Sequence, residues 1–297
     1  MAFINYSSPI DVVLILRAAT GVLNMSKNEF PYLHGFDSVE QDRLRKQAEF
    51  TEHTVYKDIN LSYVKKLIEV GSGVGAQTEI LLRRFPKVDI TCIDRSKNQL
   101  DAAKKSLEKC PYAKDRYKLL EMDATDIEFE SQTFDGAFLC WILEHVPDPG
   151  KVMSEVRRVL RPGSIVYITE VLNSSFFLEP YSPNVWKYWM AFNDYQYDMK
   201  GDPFIGAKLG NILMQQGYRD IKVKTKTWHL DNRRPAKRKE FIEFWSELLL
   251  SASEQLIKEK YVDEETVNKA RVELKTVRND PNAVFYYSFI QASAKAF

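Results

Sequence analysis

An apolar strand that runs straight into a glycine-rich turn narrows the folds open to this chain more than any other feature. Leu67-Ile68-Glu69-Val70-Gly71-Ser72-Gly73-Val74-Gly75 ends an apolar run in an acid and then alternates glycine with other residues. Glycine lets a backbone turn tightly and approach a ligand closely. The pattern becomes helical just after, from Gln77 to Arg84. A strand, a glycine-rich turn and a helix N-terminus in that order make a nucleotide-type site.

Two ligand classes use such a turn. Gly71-x-Gly73-x-x-Ala76 satisfies the dinucleotide fingerprint, which places an anionic pyrophosphate on the turn. Glu69, two residues before the first glycine, would repel that anion. S-adenosylmethionine has the opposite charge balance, because its sulfonium and ammonium outweigh one carboxylate. Acids at strand ends suit it, and two more acids follow. Val88 to Asp94 reads as the next strand, and Asp94 stands 23 residues after Gly71. An acid about 20 residues on is placed to accept the ribose hydroxyls of either ligand. Leu119-Leu120-Glu121-Met122-Asp123-Ala124 reads as a third strand end, where Asp123 can accept from an adenine amino group.

Together these segments resemble the class I S-adenosylmethionine-dependent methyltransferases, in particular those acting on small molecules. Phe134 to Val146, with Leu143-Glu144-His145-Val146, is similar to the family's fourth strand and its continuation. Val159-Leu160-Arg161-Pro162-Gly163-Ser164 is similar to the turn before its fifth strand, with Ser164 in place of a second glycine. The resemblance covers residues 60 to 172. It implies an α/β, Rossmann-like, doubly wound and mostly parallel sheet of seven strands, the last one reversed. S-adenosylmethionine is the cofactor it implies. The turn residues Gly71, Ser72 and Gly73 then supply backbone donors to the methionine end, and Glu69 faces its ammonium. Asp94 takes the ribose, Arg95 lies along the adenine, and Asp123 and Ala124 flank it. Cys140 and Trp141, ending strand four, stand near the reactive methyl.

The alternation of elements agrees. Strands are predicted near 65–71, 88–94, 117–122, 134–140 and 164–171, with helices near 76–85, 97–109 and 149–160. Such alternation gives a parallel sheet covered on both faces. A helix at 204–216, a strand from Ile221 to Leu230 and a final strand from Val284 to Ala294 complete the core, taken as 57–297. Residues 1–56 are read as an N-terminal extension and a helical segment over the cofactor. Ser38 with Gln41 makes a capping box for a helix running to about Val55. Several small-molecule methyltransferases carry a similar lead-in, here Tyr32, Gly35, Glu40, Arg43, Leu44 and Gln47, with one extra residue before Arg43. By that resemblance Tyr32, Arg43 and Gln47 hold the methionine carboxylate; a solvated helix with Leu44 and Phe50 facing inward is the alternative. Met25 is a second candidate start, so residues 1–24 read either as an extension foreign to the folded unit or as an extra helix.

Two insertions, at about 173–203 and 232–280, are read as helical lids. The first is crowded with aromatic residues, and Trp186, Trp189 and Met190 recur at helical spacing. His34, Trp186, Trp189 and Tyr195 are the candidate acceptor-side residues; a packing arm or a homodimer surface is the alternative for the first insertion. The second insertion is expected to hold helices at 239–260 and 263–278.

Methyl transfer is an in-line displacement, and positioning supplies much of its rate. A base is needed only where the nucleophile carries a proton of high pKa. His145 and Glu170 are the candidates for that role. The region after strand four has no Asn-Pro-Pro-Tyr-like motif, which argues against methylation of nucleic-acid bases and favours a small-molecule acceptor. No catechol-type acid set is present, so no metal is expected. With a net charge of +1 over 297 residues, nothing at whole-chain level calls for nucleic acid or an acidic membrane. Arg233 to Lys239 holds five basic residues in seven and reads as a solvated loop, with RNA contact as the alternative. Three cysteines without CxxC spacing suit a reducing, cytoplasmic setting. The Ile10 to Leu16 run is too short to span a bilayer. Two rival functions stay open: a nicotinamide-dependent oxidoreductase on the same turn, and a methyltransferase-like subunit that binds without turnover.

Overall fold

Alternation along the central strands decides what each face of the sheet buries. In the computed structural model, which describes residues 38–297, Ile68, Val70, Ala137, Leu139, Val166 and Ile168 point into one apolar core. Leu67, Cys92, Phe138 and Tyr167 point into the other. A sheet buried on both faces must be covered by helices on both. Tyr32, His34 and the 1–24 extension lie outside the described residues.

The strands are β1 (Lys66–Val70), β2 (Asp89–Asp94), β3 (Tyr117–Glu121), β4 (Phe134–Cys140), β5 (Leu160–Val171), β6 (Phe177–Glu179), β7 (Arg219–Leu230) and β8 (Val284–Lys295). The helices are α1 (Ser38–Tyr56), α2 (Ala76–Arg84), α3 (Lys97–Leu107), α4 (Pro149–Val159), α5 (Pro183–Asp198), α6 (Leu209–Gln215), α7 (Pro235–Leu250), α8 (Ser253–Lys258) and α9 (Glu264–Asn279). The strand order is β3-β2-β1-β4-β5-β8-β6, with β7 also paired to β8. β1 to β5 run parallel, whereas β8 is antiparallel to β5, β6 and β7. The doubly wound sheet with a reversed last strand is therefore present, with one short strand more than expected. That extra strand, β6, lies in the first insertion and extends the same edge of β8 that pairs β5.

Two helix expectations change. The stretch 239–260 is two helices, α7 and α8, broken at Ser251 and Ala252. Helix 204–216 opens as a short 3-10 turn, Ile205–Lys208, before α6. Side-chain caps open several of the helices. Ser96 accepts from the Gln99 amide at α3, Asp148 from Lys151 at α4 and Asp263 from Thr266 at α9.

The chain order reverses between β1 and β4. Ligands of open α/β sheets bind outside the carboxyl ends of the strands at such a switch point. α1 is held beside it by Glu52, which pairs with Arg83 at 2.7 Å and Arg84 at 3.0 Å on α2. Tyr56 adds a hydrogen bond from its hydroxyl to Gln77 Oε1, 2.8 Å, and packs its ring on Phe138. The two insertions pack on each other. Tyr188 of α5 donates to the Leu249 carbonyl of α7 at 2.8 Å, and Glu273 of α9 accepts from the Asn184 and Val185 amides of α5. Among the described residues no helix is long and apolar enough to cross a membrane.

Candidate active site

The turn after β1 is left-handed at Gly71 (φ 72°) and Gly73 (φ 51°), a conformation that penalises any Cβ. The two glycines serve different ends. A Cβ on Gly71 would lie 2.9 Å from Ile142 Cβ, so the side chain of Ile142 is seated on this residue. A Cβ on Gly73 would meet nothing within 4 Å, so the backbone there faces open space. The amides of Gly71 and Ser72 are used up on the Ile93 carbonyl, at 2.8 and 3.1 Å, which fixes the turn to β2. Ser72 Oγ is buried and has no hydrogen-bond partner among the described residues.

Acids ring this turn. Glu69 is buried against α2, where its Oε2 accepts from Thr78 Oγ1 at 2.6 Å and lies 3.7 Å from Cys92 Sγ. Burial pushes its carboxyl up to about 8, and the nearby charge of Asp94 pushes the same way. Asp94 does not cap α3, a role Ser96 fills. Its Oδ2 accepts from the Gly73 amide at 2.8 Å and its Oδ1 from the Ser96 amide at 2.9 Å. The carboxylate thus braces the glycine turn against β2, and each oxygen keeps a lone pair for a further donor. Burial raises its pKa, with the two amides pulling it back. Arg95 is exposed beside it. Asp123 is exposed after β3, and its Oδ1 accepts from the Thr125 amide and hydroxyl, both at 2.7 Å. Ala124 next to it is half-buried against the core under β4.

Across the switch point, β4 ends at Cys140, and Trp141 takes a left-handed conformation (φ 56°) uncommon for a bulky residue. Strained backbone of this kind persists only where the surroundings over-determine it. The turn continues through a 3-10 segment, Leu143–His145. His145 Nε2 lies 3.7 Å from Glu144 Oε1. Burial lowers the His145 pKa; Glu144 pulls it back up, and the positive charges of Arg95 and Arg43 depress it further. Arg43 is itself buried, and its Nη1 donates to Gln47 Oε1 at 2.8 Å.

Glu170, at the end of β5, is fully buried. Its Oε1 accepts from the Ile142 amide at 3.0 Å and the Leu143 amide at 2.7 Å, while Oε2 has no partner among the described residues. Burial pushes its pKa well above the carboxylate range, and the charge of Glu144 adds to this. Cys140 feels Glu170, Glu69 and Glu144 together, and burial raises its thiol first.

Trp186 and Trp189 of α5 join an aromatic cluster with Phe176, Trp245 and Phe285, ring centroids 5.1 to 6.0 Å apart. Phe50 of α1 stacks on Phe244 of α7 at 5.3 Å and meets Phe241 at 5.0 Å, so α1 and the second insertion share one seam. Tyr195 points elsewhere: its hydroxyl accepts from Gln255 of α8 at 3.0 Å and its ring packs on Tyr261. Three polar residues of the region carried no sequence signal of their own. Thr78 and Gln196 sit on buried helix faces, and Glu144 was overshadowed by the histidine beside it. Gln196 Nε2 donates to Glu144 Oε2 at 2.9 Å.

The basic run at 233–239 is not a uniform solvated face. Arg238 is fully buried, and its guanidinium donates to the carbonyls of Asp280, Pro281 and Ala283 just past α9. Arg233 pairs with Asp231 at 2.8 Å. Among the described residues no cluster of His, Cys, Asp and Glu has the arrangement to hold a metal.

Residues 68–168 match the family model described as "Methyltransferase domain". Over 192 residues the chain is 27% identical to 2-methyl-6-phytyl-1,4-hydroquinone methyltransferase 2, chloroplastic, of Oryza sativa subsp. japonica, covering 63% of this chain and 53% of that one. Over 139 residues it is 31% identical to the demethylmenaquinone methyltransferase of Staphylococcus aureus, covering 45% of this chain and 56% of that one. The chain thus spans about half the length of these curated relatives. Among solved structures, phosphoethanolamine N-methyltransferase 2 of Haemonchus contortus, in complex with S-adenosyl-L-methionine, has the same fold. The TM-score is 0.52 at 19% identity, over 84% of this chain and 52% of that one.

Proposed function

We propose that this chain, whose residues 68–168 form a class I S-adenosylmethionine-dependent methyltransferase domain, transfers the methyl group of that cofactor to a small-molecule acceptor. One observation carries the reading: an open, left-handed Gly73 at the sheet's switch point, flanked by the buried carboxyl of Glu69 and by that of Asp94, which accepts from its amide. A buried acid two residues before the turn can ionise against a ligand's ammonium but gains nothing from an anionic pyrophosphate, which weighs against a nicotinamide cofactor.

The residues present fit S-adenosylmethionine. The space at Gly73 admits a close backbone approach, and the buried, unpartnered Ser72 Oγ offers a polar contact. Bound there, the cofactor supplies a methyl carbon activated by its sulfonium. The chain does the rest by holding and excluding. Glu69, ionised on binding, would face the ligand's ammonium, and Asp94 would accept from its ribose hydroxyls. Asp123 would take the adenine end, and Arg43, with Gln47 beside it, the carboxylate end. Trp141, which follows β4, would stand near the reacting carbon. α1 and the two insertions cover the acceptor side and keep water out, which favours an in-line displacement governed by orientation.

Two relatives are named for a hydroquinone and for demethylmenaquinone. The acceptor proposed is accordingly an aromatic, quinol-type molecule methylated at ring carbon or oxygen. For an oxygen nucleophile His145, held neutral by burial and by two guanidinium groups, is the available base. The test is transfer of a labelled methyl group from S-adenosylmethionine across a panel of quinols, phenols and amines. Labelled quinol product supports the reading; label on amines alone overturns the acceptor class, and no label on any acceptor overturns the activity.

A further inference from the structure

We propose that Glu170 and Gln196 are positioning residues that clamp the turn from Trp141 to His145 from two sides, setting the floor of the cofactor site without touching the reacting atoms. The proposal rests on the cofactor reading above, and it gives Glu170 a role other than that of a base.

Three successive amides leave β4, and the end of β5 takes all three. The Trp141 amide donates to the Thr169 carbonyl at 2.9 Å. The Ile142 and Leu143 amides both donate to Glu170 Oε1, at 3.0 and 2.7 Å. A buried amide without a partner is costly, so this turn depends on one side-chain oxygen. The same turn carries two features that need fixing: the left-handed Trp141 and the Ile142 side chain seated on Gly71. Glu170 thus sets the position of Ile142, and Ile142 sets the cofactor turn.

The other side is held by the first insertion. The Glu144 carbonyl accepts from the Asp202 amide at 2.8 Å and from Gln196 Nε2 at 3.3 Å. Gln196 Nε2 also reaches Glu144 Oε2, at 2.9 Å. Gly201 lets the two chain segments approach so closely that an added Cβ would lie 2.6 Å from the Glu144 carbonyl oxygen. Helix α5 is therefore joined to the cofactor floor, and the acceptor cover and cofactor site share one turn. A base must reach the proton it takes, at about 2.6–3.2 Å or through one water. Glu170 is fully buried behind the turn, with one oxygen committed to two amides.

The test compares Glu170→Gln, Glu170→Leu and Gln196→Leu with wild type. Two readouts are used: calorimetric binding of S-adenosylhomocysteine, and amide hydrogen exchange at Ile142 and Leu143 in the ligand-free protein. Glutamine keeps an oxygen that accepts both amides, whereas leucine keeps the volume and loses the acceptor. The expected result is wild-type affinity and exchange for Glu170→Gln. For Glu170→Leu, exchange is fast at both amides and affinity falls about tenfold or more, the scale of orphaning buried donors. Gln196→Leu also weakens binding, although it lies on α5. The clamp is overturned if Glu170→Gln is as damaging as Glu170→Leu, or if Glu170→Leu matches wild type in both readouts. Should Glu170→Leu fail to fold, Gln196→Leu decides: wild-type affinity overturns the joint clamp and weaker affinity supports it. A wild type that binds no S-adenosylhomocysteine shows the cofactor reading itself to be wrong, and the exchange data then judge the grip on the two amides alone.

Discussion

Binding of a ligand that places its ammonium at Glu69 should expel a proton. Glu69 is buried, and its carboxyl is pushed up to about 8, so the ligand-free site holds a proton at neutral pH. About nine-tenths of the molecules carry it at pH 7. The ammonium of S-adenosylhomocysteine favours the ionised form, so binding at pH 7 releases on the order of 0.9 proton per site, falling to about 0.1 at pH 9. If only the ionised form binds, affinity rises about twentyfold between pH 6 and pH 7.5. Titration calorimetry in buffers of different ionisation enthalpy measures the proton count directly. Asp94, also raised by burial, contributes with the same sign, so Glu69→Gln is the necessary control. The amide of that variant can still accept from Thr78, but it loses the proton release and flattens the pH dependence. The ligand-free protein shows the complementary effect. An acid whose folded pKa lies above its unfolded value binds more protons in the native state between the two. Stability therefore falls as pH rises from about 4.5 to about 8, by at most about 5 kcal/mol. Absence of proton release at pH 7, or release that survives in Glu69→Gln, would refute the inference from burial.

Other outcomes follow from the same geometry. Gly73→Ala should stay folded, losing about 1–2 kcal/mol to left-handed strain, yet lose ligand affinity because its methyl enters the open space; calorimetry on the folded variant checks this. Gly71→Ala meets Ile142 as well and should lose more in denaturant titration, about 2–4 kcal/mol. Arg238→Ala leaves three carbonyls after α9 without their buried donor and should cost about 2–4 kcal/mol in urea unfolding, whereas Lys239→Ala on the exposed side should cost under about 0.5 kcal/mol. In the ligand-free protein the His145 ring should titrate by NMR below the ordinary histidine value. A midpoint above that value would mean that Glu144 outweighs burial and both guanidinium groups.

The part of the fold built on buried alternation was legible in the sequence. β1, β2 and β4 are short apolar runs bounded by glycine or acids, and they lie where those runs place them. The glycine turn, Asp94 and the β4 end carry a local pattern, so their meeting at the switch point followed from strand order. What escaped the sequence depends on tertiary packing. β6 has only three residues and no alternation to display. The break at Ser251 and Ala252 interrupts an apolar pattern that stays continuous in sequence, because both helices bury a face against the same layer. Arg238 lies in a charge run that reads as solvated, but one turn of helix carries it inward to the carbonyls after α9. Glu170 reads as a strand-end acid on the acceptor side. Its burial under the β4 turn is set by contacts 27 and 28 residues away. Tyr195 shares its helix with Trp189 but faces Gln255 and Tyr261, a direction that helical spacing alone does not fix.

The most direct test of the cofactor assignment is calorimetric binding of S-adenosylmethionine, S-adenosylhomocysteine and NAD to wild type and to Asp94→Ala. Both adenosyl ligands are expected to bind wild type, and both to be lost or strongly weakened in the variant that unbraces Gly73, while NAD gives no heat. Binding of NAD alone would contradict the charge reasoning at Glu69, and silence from both adenosyl ligands would contradict the assignment itself.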